Sequence, residues 1–423
     1  MSKKEDWPRV ELRDVCELII DCVNKTAPTV DGPTPYRMIR TTNVREGEVD
    51  VEDVKYVTKE TYEKWIRRGA PKKGDVILTR EAPLGKVGLL REDEGVFLGQ
   101  RLVMYRADPD VLDNRFLLYS FMERDMQGQM KALGSGSTVE HLRVPHAKTL
   151  EIALPPLPVQ RRIAGVLAAY DDLIENNARR IDLLEQMAQA VYREWFVELR
   201  FPGHADAQVR ETEALGAVPA GWEVVTVPEA IEINPRISIP DGEKHYVPMA
   251  GIPENSMIVR HTEMRDTRRG RKFQNYDTLF ARITPSLENG KTGYVQFMPS
   301  DDDVGVGSGE LINLRSKTLC PEYVYLLART EPFRQKAIKS MTGASGRQRV
   351  QLDCFDDFQI AQPDEETLAQ FEHTVRPMFE MVQTLVERNA TLRRTRDLLL
   401  PRLVSGEVAV GSAEEEVAAR VHA

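Results

Sequence analysis

Cysteine is scarce. Among 423 residues there are only Cys16, Cys22, Cys320 and Cys354, and no two form a CxxC pair. The seven histidines do not gather near them at metal-ligand spacing. Neither a disulfide framework nor a structural zinc site has a basis, and free thiols are expected. Long apolar runs are also missing. None approaches the roughly 20 residues that span a bilayer, and the opening MSKKEDWPRVEL lacks the apolar core of a signal peptide. The expectation is a cytoplasmic chain with no membrane partner. Positive charge is not in excess: 57 Lys and Arg against 66 Asp and Glu leave a net −9. That argues against indiscriminate coating of nucleic acid, yet permits a local basic face.

A complete phosphate-binding loop is another absence. Gly290-Lys291-Thr292 has the ending of one, but Pro285 stands where the motif needs its first glycine. Proline fixes φ and removes the amide proton a phosphate would use. The element instead occurs twice. GDVILTREAPLGKVGLL from Gly74 resembles YDTLFARITPSLENGKTGYV from Tyr276, matching Asp75 with Asp277, Arg80 with Arg282 and Pro83 with Pro285. Gly85-Lys86-Val87-Gly88 then matches Gly290-Lys291-Thr292-Gly293. The economical reading is a tight turn between two strands.

The correspondence is collinear over most of the chain. Trp7 faces Trp222, Tyr36 faces Tyr246, and Leu102 with Arg106 faces Leu311 with Arg315. Each copy continues into a helical stretch, FLLYSFMERDMQGQMKAL or YVYLLARTEPFRQKAIKS, and then a small polar loop, GSGSTVEHL or GASGRQRV.

Each copy ends in a heptad ladder. The first runs Ile163, Leu167, Tyr170, Ile174, Asn177 and onward to Trp195; the second includes Phe371, Val375, Met378, Val382, Leu385 and Asn389. Alternating spacings of three and four residues mark a coiled-coil seam, and an asparagine in each ladder can pin register at some cost in stability. Two amphipathic helices on separate cores are the plainer alternative. Pro155-Pro156 and Pro158 precede the first helix, Pro363 the second, and Ser405-Gly406 closes the second. The fold class is therefore α+β: two similar mixed α/β domains separated by two long antiparallel coiled-coil helices, an internal repeat with pseudo-twofold symmetry. The expected boundaries are 1–155 and 201–362 for the domains, 156–200 and 363–408 for the helices, and 409–423 for an acidic tail.

LPPLPVQRRIAGVLAAYDDLIENNARRIDLLEQM and LRRTRDLLLPRLVSGEV resemble the two helical regions of specificity subunits of type I restriction–modification systems. The second helix departs from the pattern: PDEETLAQFEHTV has Glu365-Glu366 and lacks the proline-x-x-glutamine entry. The resemblance implies a non-catalytic subunit whose two target recognition domains each read half of a bipartite site on double-stranded DNA. It implies that the helices set the gap and bind two methyltransferase subunits, which a restriction or translocase subunit then joins. S-adenosylmethionine, ATP and Mg would belong to those partners, with no cofactor or metal in this chain.

Residues present in both copies cannot distinguish unlike half-sites. Arg80 with Arg282, and Lys86 with Lys291, are read as scaffold or phosphate contacts. Discrimination is assigned to the loops that differ. In the first copy these are Arg40, Thr41, Thr42 and Asn43, with Ser135, Ser137, Thr138 and His141. In the second they are the basic run Arg265, Arg268, Arg269, Arg271 and Lys272, read as an extended loop, followed by Arg347, Gln348 and Arg349. Arginine pairs bidentately with guanine, and asparagine or glutamine with adenine. Arg67-Arg68 with Lys72-Lys73 forms a further cluster; such runs are commonly solvated faces. Two rivals remain. A self-sufficient methyltransferase needs a polar-Pro-Pro-aromatic segment, and Asn234-Pro235-Arg236-Ile237 lacks its second proline and ring; Gly305 to Gly309 is a weak glycine run. A coiled-coil adaptor binding proteins suits the acidic total, but not the basic loops.

Overall fold

The computed structural model describes residues 7–45, 47–134, 140–260, 262–408 and 410–411. The chain divides into two compact units, one up to Glu175 and again from Ala390, the other Asn176–Asn389. The division passes through both long helices, Leu157–Tyr192 and Glu365–Val404. Each unit thus comprises a domain and the adjoining parts of two helices, rather than the domains and helices being separate bodies.

In the first unit a sheet carries, in order, Cys16–Asp21, Leu102–Ala107, Val76–Arg80, Leu84–Leu89 and Gly47–Glu48. In the second the order is Ile231–Ile233, Leu311–Ser316, Thr278–Ala281 and Thr292–Tyr294. The first four strands correspond one for one to the four of the second unit and fall in the repeated segments; Gly47–Glu48 is additional. Alternation of Val, Ile, Leu and Tyr buries Val76, Leu78, Val103 and Tyr105 against helices Asn114–Met122 and Arg124–Leu133. Phe280, Ile312 and Leu314 pack in the second unit's core with Tyr323, Leu326 and Phe333 from Pro321–Arg329 and Glu331–Lys339.

A second sheet also recurs. Arg37–Ile39 runs parallel to Val96–Leu98 and antiparallel to Lys55–Tyr56. Lys244–Val247 runs parallel to Gly305–Gly307 and antiparallel to Glu263–Arg265. The second unit adds Arg271–Phe273 on the far side of Gly305–Gly307. A two-stranded ribbon, Arg9–Glu11 with Glu151–Ala153 or Glu223–Thr226 with Gln359–Gln362, completes each copy. Both Ala82–Pro83 and Thr284–Pro285 are cis.

Three local expectations change. Gly85-Lys86 is not a turn. It lies in strand Leu84–Leu89, because the hairpin closes earlier, with Arg80 paired to Leu84. Each helical stretch is two helices, broken at Glu123 or Thr330, whose extended backbone cannot continue the first. Pro158 falls within the first turn of its helix, where a missing amide proton costs nothing.

The helix entries explain the departure at Glu365-Glu366. Gln160 is fully buried; its amide donates to Val111 O at 2.9 Å and Pro155 O at 2.8 Å, and accepts from Asp113 N at 2.9 Å. The second helix is capped instead by Asp364, whose Oδ1 accepts from Thr367 N at 2.7 Å.

Candidate nucleic-acid interface

The matched charged residues are mainly internal supports. Arg106 Nε and Nη2 donate to Asp75 at 2.9 and 2.7 Å, and Arg315 makes the same fork onto Asp277 at 2.7 and 2.7 Å. Each aspartate also accepts a backbone amide three residues earlier, Lys72 N at 2.7 Å or Gln274 N at 2.8 Å. The carboxylates are almost wholly buried, and both arginines are held above the ordinary guanidinium range by the hydrogen bond to them.

Of the two roles read for Arg80, scaffold or phosphate contact, its surroundings support the scaffold. Arg80 is buried, its Nη1 faces Leu142 O at 3.4 Å, and its backbone carbonyl accepts from Leu142 N. Half-buried Arg282 repeats this with Val350 O at 3.3 Å. Both arginines tie the end of the following polar loop to a sheet strand. Half-buried Lys291 donates to Met249 O at 3.3 Å, whereas Lys86 is exposed with no side-chain partner among the described residues.

In the first unit Asn43 is likewise turned inward. It is buried, Oδ1 accepts from Arg40 N at 2.9 Å and Nδ2 donates to Asp53 O at 2.6 Å. With both amide ends engaged inside the chain, it shapes the loop. Thr42 is exposed and Arg40 half-buried. His141 Nδ1 lies 2.9 Å from Glu81, which also holds Arg101. Ser135, Ser137 and Thr138 lie outside the described residues. Arg68 is paired with Asp21.

The second unit's basic run is not a loop throughout. Arg265 ends one strand and Arg271–Phe273 forms another, at opposite edges of the same sheet, so residues 266–270 bridge those edges. Gly270 is required at the crossing: its φ is +128°, and a Cβ there would lie 2.2 Å from Gly307 O. Several cations are already engaged. Arg265 binds Glu263 and covers the Tyr246 ring at 4.0 Å, Arg268 pairs with Asp241, and Arg349 forks onto Glu310 at 2.5 and 2.8 Å. The Arg349 guanidinium holds the Glu310 carboxyl below the usual range. Arg269 and Arg347 are exposed, and neither side chain has a partner among the described residues. Gln348 is half-buried; its carbonyl accepts from Thr284 N and its backbone amide donates to Thr284 Oγ1, both at 3.1 Å.

A cleft of about 480 Å³ opens beside this run, lined by Asn234 to Ser238 and Gly270 to Lys272. Sequence reading passed over Arg236, having weighed its segment only against a methyltransferase motif. The sequence offered no signal beyond an arginine following Asn-Pro. Arg271 is half-buried, and its pKa is depressed first by burial and then by Arg282.

The seam residues are buried along both helices: Ile163, Leu167, Tyr170 and Ile174 in the first unit, Val375, Val382 and Leu385 in the second, with Met378 half-buried. Asn177 Nδ2 donates to Asn389 Oδ1 at 2.9 Å. In the same unit Tyr192 packs edge-on to Phe371, which fixes the two segments as antiparallel. In the first unit Arg396, in the second long helix, binds Asp171, which accepts from Tyr119 Oη at 2.6 Å.

Burial pushes the Cys16 thiol up to about 12, far from a reactive range. Among the described residues no His, Cys, Asp and Glu group is arranged to hold a metal, and no helix is long and apolar enough to cross a membrane.

Residues 4–186 match the family model of the type I restriction modification DNA specificity domain. The chain is 24% identical over 351 residues to the type I restriction enzyme MjaIX specificity subunit of Methanocaldococcus jannaschii, covering 80% of this chain and 78% of that protein. It is 22% identical over 407 residues to the HindI specificity subunit of Haemophilus influenzae, covering 80% and 87%. The fold matches the crystal structure of a type I restriction-modification S subunit from M. genitalium, with TM-score 0.53, 16% identity, and 95% and 97% of the two chains covered. With its doubled sheets and antiparallel helix pairing, the chain is similar over most of its length to the DNA specificity subunits of type I restriction–modification systems.

Proposed function

We propose that each unit reads one half of a bipartite duplex DNA target, while the long helices set the gap between halves and dock two methyltransferase subunits. The observation that carries this reading is one strand order repeated twice, with unlike polar and basic residues on corresponding segments. A shared scaffold with different readers suits two different half-sites, because common residues cannot discriminate between them. An isolated helix of about 40 residues is roughly 60 Å long, and half-sites on one face of B-DNA recur near 34–36 Å. A spacer of about one turn or slightly more is expected.

The chain itself performs no chemistry in this account. S-adenosylmethionine, ATP and Mg act on the methyltransferase subunits and on a restriction or translocase subunit, in the cytoplasm. The adaptor reading loses ground because the exposed Arg269, Arg347 and Lys86 suit phosphate and base edges. The test is a mobility-shift assay on duplex DNA carrying the cognate site, with and without methyltransferase. Retention by the complex, weakened by Arg269→Ala, is expected; no binding in either condition would return the adaptor.

A further inference from the structure

Resting on the DNA-reading function above, we propose that the second unit's cleft between residues 234–238 and 270–272 seats a phosphodiester of the half-site, with Arg236 and Lys272 as its cationic contacts. Its walls are joined by one buried residue, through its side chain on one side and its backbone on the other. Asn313 is fully buried; its Nδ2 donates to Lys272 O at 2.9 Å on one wall and to Asp277 Oδ2 at 2.7 Å beneath it. Its backbone amide donates to Asn234 Oδ1 at 3.0 Å on the other wall, and Asn234 N donates back to Asn313 O at 2.7 Å. Asn234 holds the left-handed conformation, φ +57°, that turns the chain into the wall.

The charge at this place is one-sided. Arg236 is exposed and Lys272 half-exposed, and neither side chain has a partner among the described residues. Among the described residues, no acidic side chain lines the cleft. Arg271, on the same wall, is committed through Nε to Leu311 O at 3.0 Å and adds a third positive charge. A rigid polar cleft with surplus cations suits an anion whose geometry is fixed, as a duplex backbone is.

The first unit lacks the device. At the corresponding strand positions the ladder pairs Ile20 with Met104, and both pack in an apolar cluster. The seat therefore belongs to one half-site only.

The experiment uses the full chain assembled with its methyltransferase and duplex DNA carrying the cognate site. Arg236→Ala is expected to weaken binding roughly tenfold, irrespective of base sequence, and to lower the salt dependence by about one ion. Duplexes with single neutral methylphosphonate linkages are then scanned. At one linkage in the second half-site, Arg236→Ala should cause no further loss, because the charge it meets is already gone. Arg236→Lys should restore much of the affinity. Unchanged affinity and salt slope, additivity at every linkage, or a change confined to base preference would overturn the phosphate seat while leaving the DNA-reading function intact. Failure of the unmodified complex to bind the site would remove both.

Discussion

The two units share a strand order but differ in what they place beneath matched positions. Tyr36 stacks on Tyr62 at 4.8 Å, whereas its counterpart Tyr246 lies under the Arg265 guanidinium. Ile20 beside Met104 becomes Asn234 beside Asn313. The Asp75–Arg106 fork recurs as Asp277–Arg315. A few buried charges thus recur in both units over apolar cores, while neighbouring positions differ in chemistry. Two unlike readers on one scaffold need that difference.

The helix contacts differ in the same way. In the first unit Leu399, Leu400 and Leu403 pack with Ile163 and Leu167, beside the Tyr119–Asp171–Arg396 network. The second uses rings, with Phe196 4.7 Å from Phe371 and 4.8 Å from Tyr323. It also buries Glu185, which accepts from Ser256 Oγ at 2.8 Å and Met257 N at 3.0 Å.

The sharpest break in the comparison is removal of the shared fork. Asp277→Ala strands a partly buried arginine and a backbone amide, so a loss of about 3–5 kcal/mol is expected. Asp75→Ala should cost less, because Asp277 alone also holds Asn313. Denaturant unfolding with hydrogen exchange, reading each unit separately, measures both; equal losses would deny the second unit its extra network. A smaller effect comes from making the second unit resemble the first. Asn313→Met, copying Met104, should cost about 1–3 kcal/mol by breaking its two donations and should raise exchange at Lys272. Unaltered protection there would mean that the cleft walls do not depend on this side chain.

The smallest effect is a pH dependence confined to the second unit. Burial raises the Glu185 carboxyl above its ordinary range, opposed by the Met257 and Ser256 hydrogen bonds. The folded state then holds that proton more tightly than the unfolded chain. Its contribution is fully present below the ordinary glutamate value and is lost as pH rises through the folded value. Glu185→Gln should flatten the decline in that window while keeping both acceptor contacts. Melting temperature against pH checks it, and identical profiles for variant and parent would contradict it.

Much of this architecture was legible because the repeat repeats its constraints. Asp75 and Asp277, Arg106 and Arg315, and the ladder asparagines stood at matching positions before any geometry was known. The buried pairs Asp75–Arg106, Asp277–Arg315 and Asn177–Asn389 supply the physical reason. The interface was less legible. A polar letter does not disclose whether its hydrogen bonds are spent internally, as they are in Asn43, or left for a ligand. Nor does a basic run disclose that a sheet divides it between opposite edges, leaving Arg269 at the crossing and Arg271 against Leu311. Arg236 escaped notice because its neighbour in space, Lys272, lies far along the chain.

The central claim is that one chain holds two unlike readers of duplex DNA. Methylome sequencing of a host carrying this chain and its methyltransferase tests it most directly. The account predicts a bipartite motif with two different halves and a constant gap, and Arg236→Ala should leave both base sequences unchanged while reducing occupancy. A single continuous motif, or no chain-dependent methylation, would contradict it.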